Sequence, residues 1–170
     1  PIGVGRVARK GSDITVVCYS NMVSRALAAA EKLEAEDGIS VEVVDPRTLV
    51  PLDIDLISKS VKKTGRAMIV VQAVYTGGYA SHISHEIVRT SYASLKAPVR
   101  ILSAYDISPP MAYPLEKENI PSVEKIMATV RAELKVKPVA RMVAAAQPKA
   151  AGKAPAKAKT TAKPKAAAKA

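Results

Sequence analysis

The sequence alternates short runs rich in β-branched residues with longer amphipathic stretches, and no other feature restricts its fold as strongly. The runs lie at 13–19 (DITVVCY), 39–45 (ISVEVVD), 67–73 (AMIVVQA) and 99–105 (VRILSAY). Apolar runs of this length predict buried strands, and the stretches between them are long enough to form crossover helices. Because a helical crossover returns the chain to the same end of the sheet, the strands should be parallel. We therefore predict a three-layer αβα domain over residues 1–134.

Helix signals occupy the intervening stretches. The apolar stripes are Val23, Ala26, Leu27, Ala30 and Leu33 in the first helix, and Val123, Ile126, Met127, Val130 and Leu134 in the last. Asp53 is the expected N-cap of the second helix and Gly65 its left-handed end, while Ser122 should cap the last helix. Residues 4–9 predict an edge strand with its charges turned to solvent, and 108–121 predict a Pro-rich loop.

Positive charge is concentrated at the carboxyl end of the chain. Residues 1–134 hold all 15 acidic residues and 16 Lys and Arg, whereas 135–170 hold 10 Lys and Arg and no acid. This last segment is mainly Ala, Lys and Pro, so it cannot bury enough apolar surface to offset the entropy of ordering. We predict a disordered basic tail over 135–170.

Three further features concern the setting of the protein. Cys18 is the only cysteine and lies in an apolar run, which predicts a buried, inert thiol and a reducing compartment. No apolar stretch approaches the ~20 residues of a membrane-spanning helix, so none is predicted. The sequence starts with Pro1 rather than Met, and we expect a processed product or a fragment of a longer chain.

Two motifs resemble ligand sites but favour structural roles. Gly77 and Gly78 lie between a strand and a helix, yet their spacing fits neither phosphate-binding glycine motif, so a tight turn is favoured. His82, His85 and Glu86 read H-x-x-H-E, which matches no zinc signature. They fall on the polar face of the third helix with Arg89, and we predict a solvated or subunit-facing surface without metal.

Asp45, Arg47 and Asp53 flank the loop that follows the second strand. Because the carboxyl ends of parallel strands carry sites, a binding role is open. An Asp-Arg pair that holds the loop in shape is an equal alternative. No combination of residues in the sequence suggests a nucleophile with its base or an acid-base pair of carboxylates, so no catalytic residues are predicted.

Segments spread over residues 2–134 resemble the transketolase C-terminal domain in their order and spacing. They are YSNMVSRALAAAEKL, VEVVDPRTLVPLD, SVKKTGR, TGGYASHI, APVRIL and PSVEKIM. DPRTLVPLD followed by VKKTGR is the most specific part, and it is most similar to beta subunits of the decarboxylating component of pyruvate, branched-chain 2-oxo acid and acetoin dehydrogenase complexes. The resemblance implies a five-stranded, mostly parallel sheet with one antiparallel strand.

The resemblance also implies an alpha2-beta2 heterotetramer in the bacterial cytoplasm or the mitochondrial matrix. Thiamine diphosphate, with Mg²⁺, would lie between the alpha subunit and an N-terminal domain of beta that this sequence lacks. The C-terminal domain would contact a second beta subunit and the peripheral-subunit-binding domain of the acyltransferase core. The segment alone is therefore expected to bind no cofactor or metal and to be inactive.

The residues expected at these subunit interfaces are Asp45, Arg47, Asp53, His82, His85, Arg89 and Asp106. The sequence departs from the family at Val71-Gln72, where Glu is usual, and at Ser108 in the loop after Asp106, where the family has proline. A fragment of acetoin dehydrogenase, transketolase or deoxyxylulose-phosphate synthase is an alternative. An alternative of another class is a non-enzymatic interaction module whose tail makes unselective contact with polyanions.

Overall fold

A five-stranded sheet between two layers of helices forms the fold in the computed structural model, which describes residues 1–135. The strands are β1 Arg6–Arg9, β2 Ile14–Cys18, β3 Val41–Asp45, β4 Ala67–Val74 and β5 Arg100–Ala104. The helices are α1 Asn21–Asp37, α2 Ile54–Thr64, α3 Tyr79–Ser91, α4 Tyr113–Asn119 and α5 Val123–Lys135, with a 3₁₀ turn at Tyr92–Ser94. The predicted three-layer αβα architecture is confirmed. The tail predicted over 135–170 lies outside the described residues except for Lys135, which ends α5.

The strand order is β1-β3-β2-β4-β5. Strands β2 to β5 run parallel to one another, and β1 pairs antiparallel with β3 at the edge. The chain moves from β2 to β3 on one side and then crosses to β4 on the other, so the direction of winding reverses between β2 and β4. One antiparallel strand in a mostly parallel sheet is the topology that the family resemblance implied.

Two apolar cores lie on the two faces of the sheet. Helices α1 and α5 cover one face, where Leu33 and Ile126 pack on Val16 and Val43. Helices α2 and α3 cover the other, where Ile57 and Ile83 pack on Val17 and Ile69. The central strands are buried on both faces because helices cover both, and this explains why they read as continuous apolar runs.

Local signals set the helix ends as predicted. The Asp53 carboxylate accepts a hydrogen bond from the Leu56 N–H at 3.1 Å, and Gly65 ends α2 with a φ of 75°. The hydroxyl of Ser122 accepts from the Lys125 N–H at 3.2 Å at the start of α5. Each side chain satisfies a backbone group that the first turn of a helix leaves without a partner.

Two expectations about the fold were wrong in part. The region 108–121 is not all loop, because α4 forms there with Pro114 in its first turn, a position at which the missing N–H of proline is no loss. The charges of β1 do not simply face solvent. Arg9 donates to the Val41 carbonyl at 2.9 Å and to the Glu34 carboxylate at 2.5 Å, and its side chain is largely covered.

Candidate functional site

The loops after the four parallel strands meet at one edge of the sheet, which we call the carboxyl edge. They are residues 19–20 after β2, 46–53 after β3, 75–78 after β4 and 105–112 after β5. In open α/β folds this edge carries ligand and partner sites because several loops converge there. Of the seven predicted interface residues, the structure places Asp45, Arg47, Asp53 and Asp106 at or beside this edge.

The loop 46–53 is fixed by carboxylates at both of its ends. Asp45 accepts from the Arg6 guanidinium at 3.2 Å and from the backbone N–H of Arg47 at 3.0 Å. Asp53 accepts from the Gly5 N–H at 2.8 Å besides capping α2. The predicted Asp-Arg pair therefore exists with a different partner, since Arg6 rather than the exposed Arg47 side chain reaches Asp45. These hydrogen bonds join the loop 46–53 to the amino-terminal segment that contains Gly5 and Arg6.

Replacing Asp53 should test how the loop is held. Asp53→Ala removes the acceptor for both Leu56 and Gly5, so we expect the free energy of unfolding to fall by about 2 kcal/mol. Asp53→Asn keeps an acceptor for one N–H but turns an amide donor toward the other, so its loss should be about half as large. Urea unfolding measures both, and equal losses for the two variants would contradict the double role.

The start of α3 is joined to the same loop. The Tyr79 hydroxyl donates to the Leu49 carbonyl at 2.5 Å, and its ring lies 5.1 Å from the imidazole of His82. His82 is therefore beside the loop 46–53. His85 and Arg89 are exposed further along the outer face of α3, where Arg89 pairs with Glu86 at 2.7 Å. Hydrogen bonding from Arg89 lowers the pKa of the Glu86 carboxyl.

Asp106 joins the two loops at the other end of the edge. Its carboxylate accepts from the Thr76 N–H at 2.9 Å and from the Thr76 hydroxyl at 2.7 Å. The hydrogen bond from the Thr76 side chain is the main cause of a lowered pKa of the Asp106 carboxyl. Asp106 thus holds the loop after β4 against the loop after β5.

Exposed apolar side chains follow on the same edge. They are Tyr75, Tyr105, Ile107, Met111, Tyr113 and Leu115, and Met111 is 100% exposed. Tyr105, Ile107 and Leu115 line a cleft of about 220 Å³ together with Pro110, Glu118 and Asn119. The Asn119 carboxamide holds this region by accepting from the Tyr105 N–H at 3.0 Å. Because α4 carries Leu115 to the cleft, this surface depends on the helix that sequence reasoning missed.

The glycine pair has a packing role rather than a phosphate-binding one. Gly77 has a φ of 72°, and a Cβ at Gly78 would lie 2.3 Å from the Val74 carbonyl oxygen. The two glycines are needed for the turn itself, which agrees with the structural interpretation. Within residues 1–135 no group of three or more His, Cys, Asp or Glu side chains is arranged to hold a metal ion. The described part of the chain therefore does not fit a diphosphate and its Mg²⁺.

Two nucleophilic side chains remain at the carboxyl end of β2. Burial raises the pKa of the Cys18 thiol to about 12, so it stays protonated near neutral pH. Ser20 has a φ of 55°, which is unusual for a residue with a side chain. Among the described residues no side chain hydrogen-bonds to its hydroxyl. No described helix is long and apolar enough to cross a membrane.

The open sheet, its winding reversal and its single antiparallel edge strand define a three-layer α/β domain. A family model described as "Transketolase, C-terminal domain" matches residues 3–126, and the chain belongs to that family. The fold also resembles a solved structure titled "Split gene transketolase, inactive beta4 tetramer". The TM-score is 0.66 at 28% identity, over 80% of this chain and 44% of that one.

Relatives with curated names are dehydrogenase subunits. The chain is 41% identical to "Pyruvate dehydrogenase E1 component subunit beta-1, mitochondrial" of Arabidopsis thaliana, over 75% of this chain and 35% of that protein. It is 41% identical to the pyruvate dehydrogenase E1 subunit beta of Bacillus subtilis, over 78% of this chain and 40% of that protein. It is 38% identical to the acetoin:2,6-dichlorophenolindophenol oxidoreductase subunit beta of Cupriavidus necator, over 79% of this chain and 40% of that protein. The chain thus spans well under half of these relatives.

Proposed function

We propose that residues 1–134 are the C-terminal assembly domain of the beta subunit of a 2-oxo acid dehydrogenase. The whole subunit would take part in oxidative decarboxylation of a 2-oxo acid on thiamine diphosphate, with acyl transfer to lipoamide. One observation in the structure supports the assembly role: the carboxyl edge exposes six large apolar side chains beside a cleft. The family and the names of the relatives supply the enzyme class.

An apolar edge of this kind suits a subunit contact. Aromatic residues and Met are enriched in protein interfaces, and exposed apolar groups that lie together mark interaction sites. Met111, Tyr113 and Leu115 lie on or just before α4, a short helix whose last four residues are all polar. Burying them against another surface would remove apolar area from water, which stabilises the contact by about 25 cal/mol per Å² of area buried.

We propose that the exposed members of the predicted interface set, which are Arg47, His82, His85, Arg89 and Asp106, take part in subunit contacts as well. The hydrogen bond of Tyr79 places His82 next to the loop 46–53, and we propose that this pair of elements contacts a second beta subunit. The alpha subunit and the peripheral-subunit-binding domain of the acyltransferase core would be the other partners. A bacterial cytoplasm or a mitochondrial matrix would be the compartment.

Cofactor binding would take place elsewhere in the assembly. The described residues supply neither a cluster of metal ligands nor a glycine cradle, so thiamine diphosphate and Mg²⁺ would bind to other parts of the complex. We therefore propose that the 170-residue chain alone binds no cofactor and does not decarboxylate. An acetoin dehydrogenase, transketolase or deoxyxylulose-phosphate synthase would share these properties, and the choice of substrate distinguishes them.

An activity assay with the full-length subunit and its alpha partner tests the proposal. We expect decarboxylation of one of pyruvate or 3-methyl-2-oxobutanoate, and we expect Leu115→Asp to lower activity by about tenfold or more at low subunit concentration. Because the defect would lie in association, raising the subunit concentration should restore the rate. Ala128→Asp, on the exposed side of α5, is the matched control and should leave activity unchanged.

Two results would contradict the proposal. Absence of decarboxylation with every 2-oxo acid tested would remove the enzyme class. A loss in Leu115→Asp that persists at saturating subunit concentration would show that the apolar edge does not act through assembly.

The basic segment supports a second function. Ten Lys and Arg without an acid in 135–170 would attract polyanions, and the absence of aromatic residues there gives no means of stacking on bases. We propose unselective electrostatic contact, which is independent of the domain.

A further inference from the structure

A groove on the side of the domain remote from the carboxyl-edge cleft has no role in the proposed assembly. It lies between the edge strand β1 and helix α2 and has a volume of about 420 Å³. Its lining residues are Val7, Lys10, Glu42, Leu56, Lys59, Ser60 and Lys63, and we call it the lysine groove. The groove exists because β1 extends the sheet beyond the two helices that cover this face.

A buried carboxylate forms the base of the groove. The Glu42 side chain is 3% exposed and is neutralised by the ammonium group of Lys63, whose own side chain is 51% exposed. Glu42 also accepts from the Ser60 hydroxyl at 2.5 Å and from the Gly11 N–H at 3.2 Å. Three donors therefore hold the Glu42 carboxylate, and the Lys63 ammonium neutralises its charge toward a molecule in the groove.

The rim of the groove is positive. Neither Lys10 nor Lys59 makes an ion pair with any residue in 1–135, and Asp55, one turn before Lys59, does not pair with it. The Lys63 ammonium has three donors and gives one to Glu42, so it can bind a second anion. Three ammonium groups thus lie around a groove whose only lining carboxylate among the described residues, Glu42, is already paired.

Two apolar residues also line the groove, Val7 from β1 and Leu56 from α2. Lys59 and Lys63 are four residues apart on a helix, which is about 6 Å along its axis. Residues on the same side of an extended chain are about 6.6 Å apart, so alternate carboxylates of an extended peptide match this spacing.

Direct strand addition to β1 is disfavoured. The strand has only four residues, its register shifts between Val7 and Arg9, and charged side chains flank it. These are features that protect sheet edges from pairing. A partner would therefore bind through its side chains in the groove rather than by extending the sheet.

We propose that the lysine groove binds an extended acidic peptide segment of a partner protein. Alternate carboxylates of the peptide would contact Lys10, Lys59 and Lys63, and apolar residues next to them would cover Val7 and Leu56. This site is separate from the apolar carboxyl edge, so it can hold a partner while the domain is assembled.

Methyl NMR of the full 170-residue chain tests this proposal and separates binding at the groove from binding at the basic segment. Residues 136–170 contain no Ile or Leu, so labelled Ile and Leu methyl groups report only on the domain. The probe is a synthetic eight-residue peptide of alternating Glu and Val. We expect saturable shifts of the Leu56 methyl signals, and none with a peptide of alternating Lys and Val.

Charge reversal supplies the matched comparison. In a double variant, Lys10→Glu with Lys59→Glu, the affinity for the acidic peptide, measured from the Leu56 methyl shifts, should fall by about tenfold or more. Lys62→Glu with Lys117→Glu changes the net charge equally outside the groove and should leave the affinity within about twofold. Lys63 is left intact because Glu42 depends on it.

Three outcomes would overturn the proposal. The Leu56 signals could fail to shift with the acidic peptide. The two double variants could lose affinity equally, which would indicate attraction by net charge alone. Inorganic phosphate could shift Leu56 as strongly as the peptide, which would indicate a site for small anions.

Discussion

Replacing Glu42 by alanine should lower the free energy of unfolding by about 3 kcal/mol, since it removes a buried charged acceptor from three donors. The hydroxyl of Ser60 also bonds to Thr15 at 2.8 Å, and Thr15 bonds to Thr64 at the same distance, so the network joins α2 to the centre of the sheet. Lys63 is half exposed and can return to water, which limits the loss. Urea unfolding of the full chain measures the effect.

A surface carboxylate provides the control. Glu34 pairs with Arg9 at 2.5 Å but its side chain is 60% exposed, so Glu34→Ala should lower stability by less than about 1 kcal/mol. Equal losses for the two substitutions would show that burial of Glu42 adds nothing.

Acid should weaken the same network. Burial alone would raise the pKa of the Glu42 carboxyl, but hydrogen bonds from Lys63, Ser60 and the Gly11 N–H outweigh burial and lower it. A lowered folded-state pKa means that the stabilisation is present above the unfolded value of about 4.3 and is lost as pH falls through the folded value. We expect the stability of wild type to fall below about pH 5 and that of Glu42→Gln to change less there. Parallel pH profiles would contradict this origin of the acid sensitivity.

Deleting residues 136–170 should abolish binding to duplex DNA and leave the melting temperature of the domain nearly unchanged. The deletion removes nine Lys and Arg and no acid. If most of these cations contact phosphates, log affinity against log salt should have a slope of roughly −0.9 per contact, which is a loss of about 10³-fold or more between 50 and 200 mM salt. Fluorescence anisotropy with a labelled duplex measures the slope. The melting temperature should stay constant because the two apolar cores are made by residues before 136.

Neutralisation without deletion separates charge from chain length. A variant with every Lys after 148 changed to Gln keeps the length and removes seven charges, so it should bind weakly with a shallow salt slope. If the affinity for DNA did not change with salt concentration, the charge of the segment would not be the cause of binding. A melting temperature several degrees lower after deletion would show that the segment packs on the domain.

The fold was predictable because its signals are local. A strand such as Ile14–Cys18 is β-branched or apolar at every position, and the caps Asp53 and Ser122 act on groups three residues away. Such signals depend on propensities and hydrogen bonds within a turn or two of the chain, so the sequence contains them directly. The edge strand over 4–9 was recognisable from its short, charged pattern, and the family resemblance implied that one strand of the sheet is antiparallel, but only the structure shows that β1 is that strand.

The sites were less predictable because their partners are distant in sequence. Glu42 reads as one polar residue in a strand, and only α2, packed above it, brings Lys63 and Ser60 to it across 21 and 18 positions. An Asp-Arg pair within the loop was one of two alternatives, but Arg6, 39 residues before Asp45, lies on the adjacent strand and reaches Asp45 instead. Prolines around α4 also concealed a helix that carries part of the apolar edge.

The sequence by itself therefore determined the layers, the parallel strands, the helix caps and the segregation of charge into residues 135–170. Only the tertiary structure decided which carboxylates are buried, which cations lack partners and which apolar side chains remain exposed. The physical reason is that burial and pairing depend on contacts between elements far apart in the chain, whereas periodicity and capping depend on neighbours.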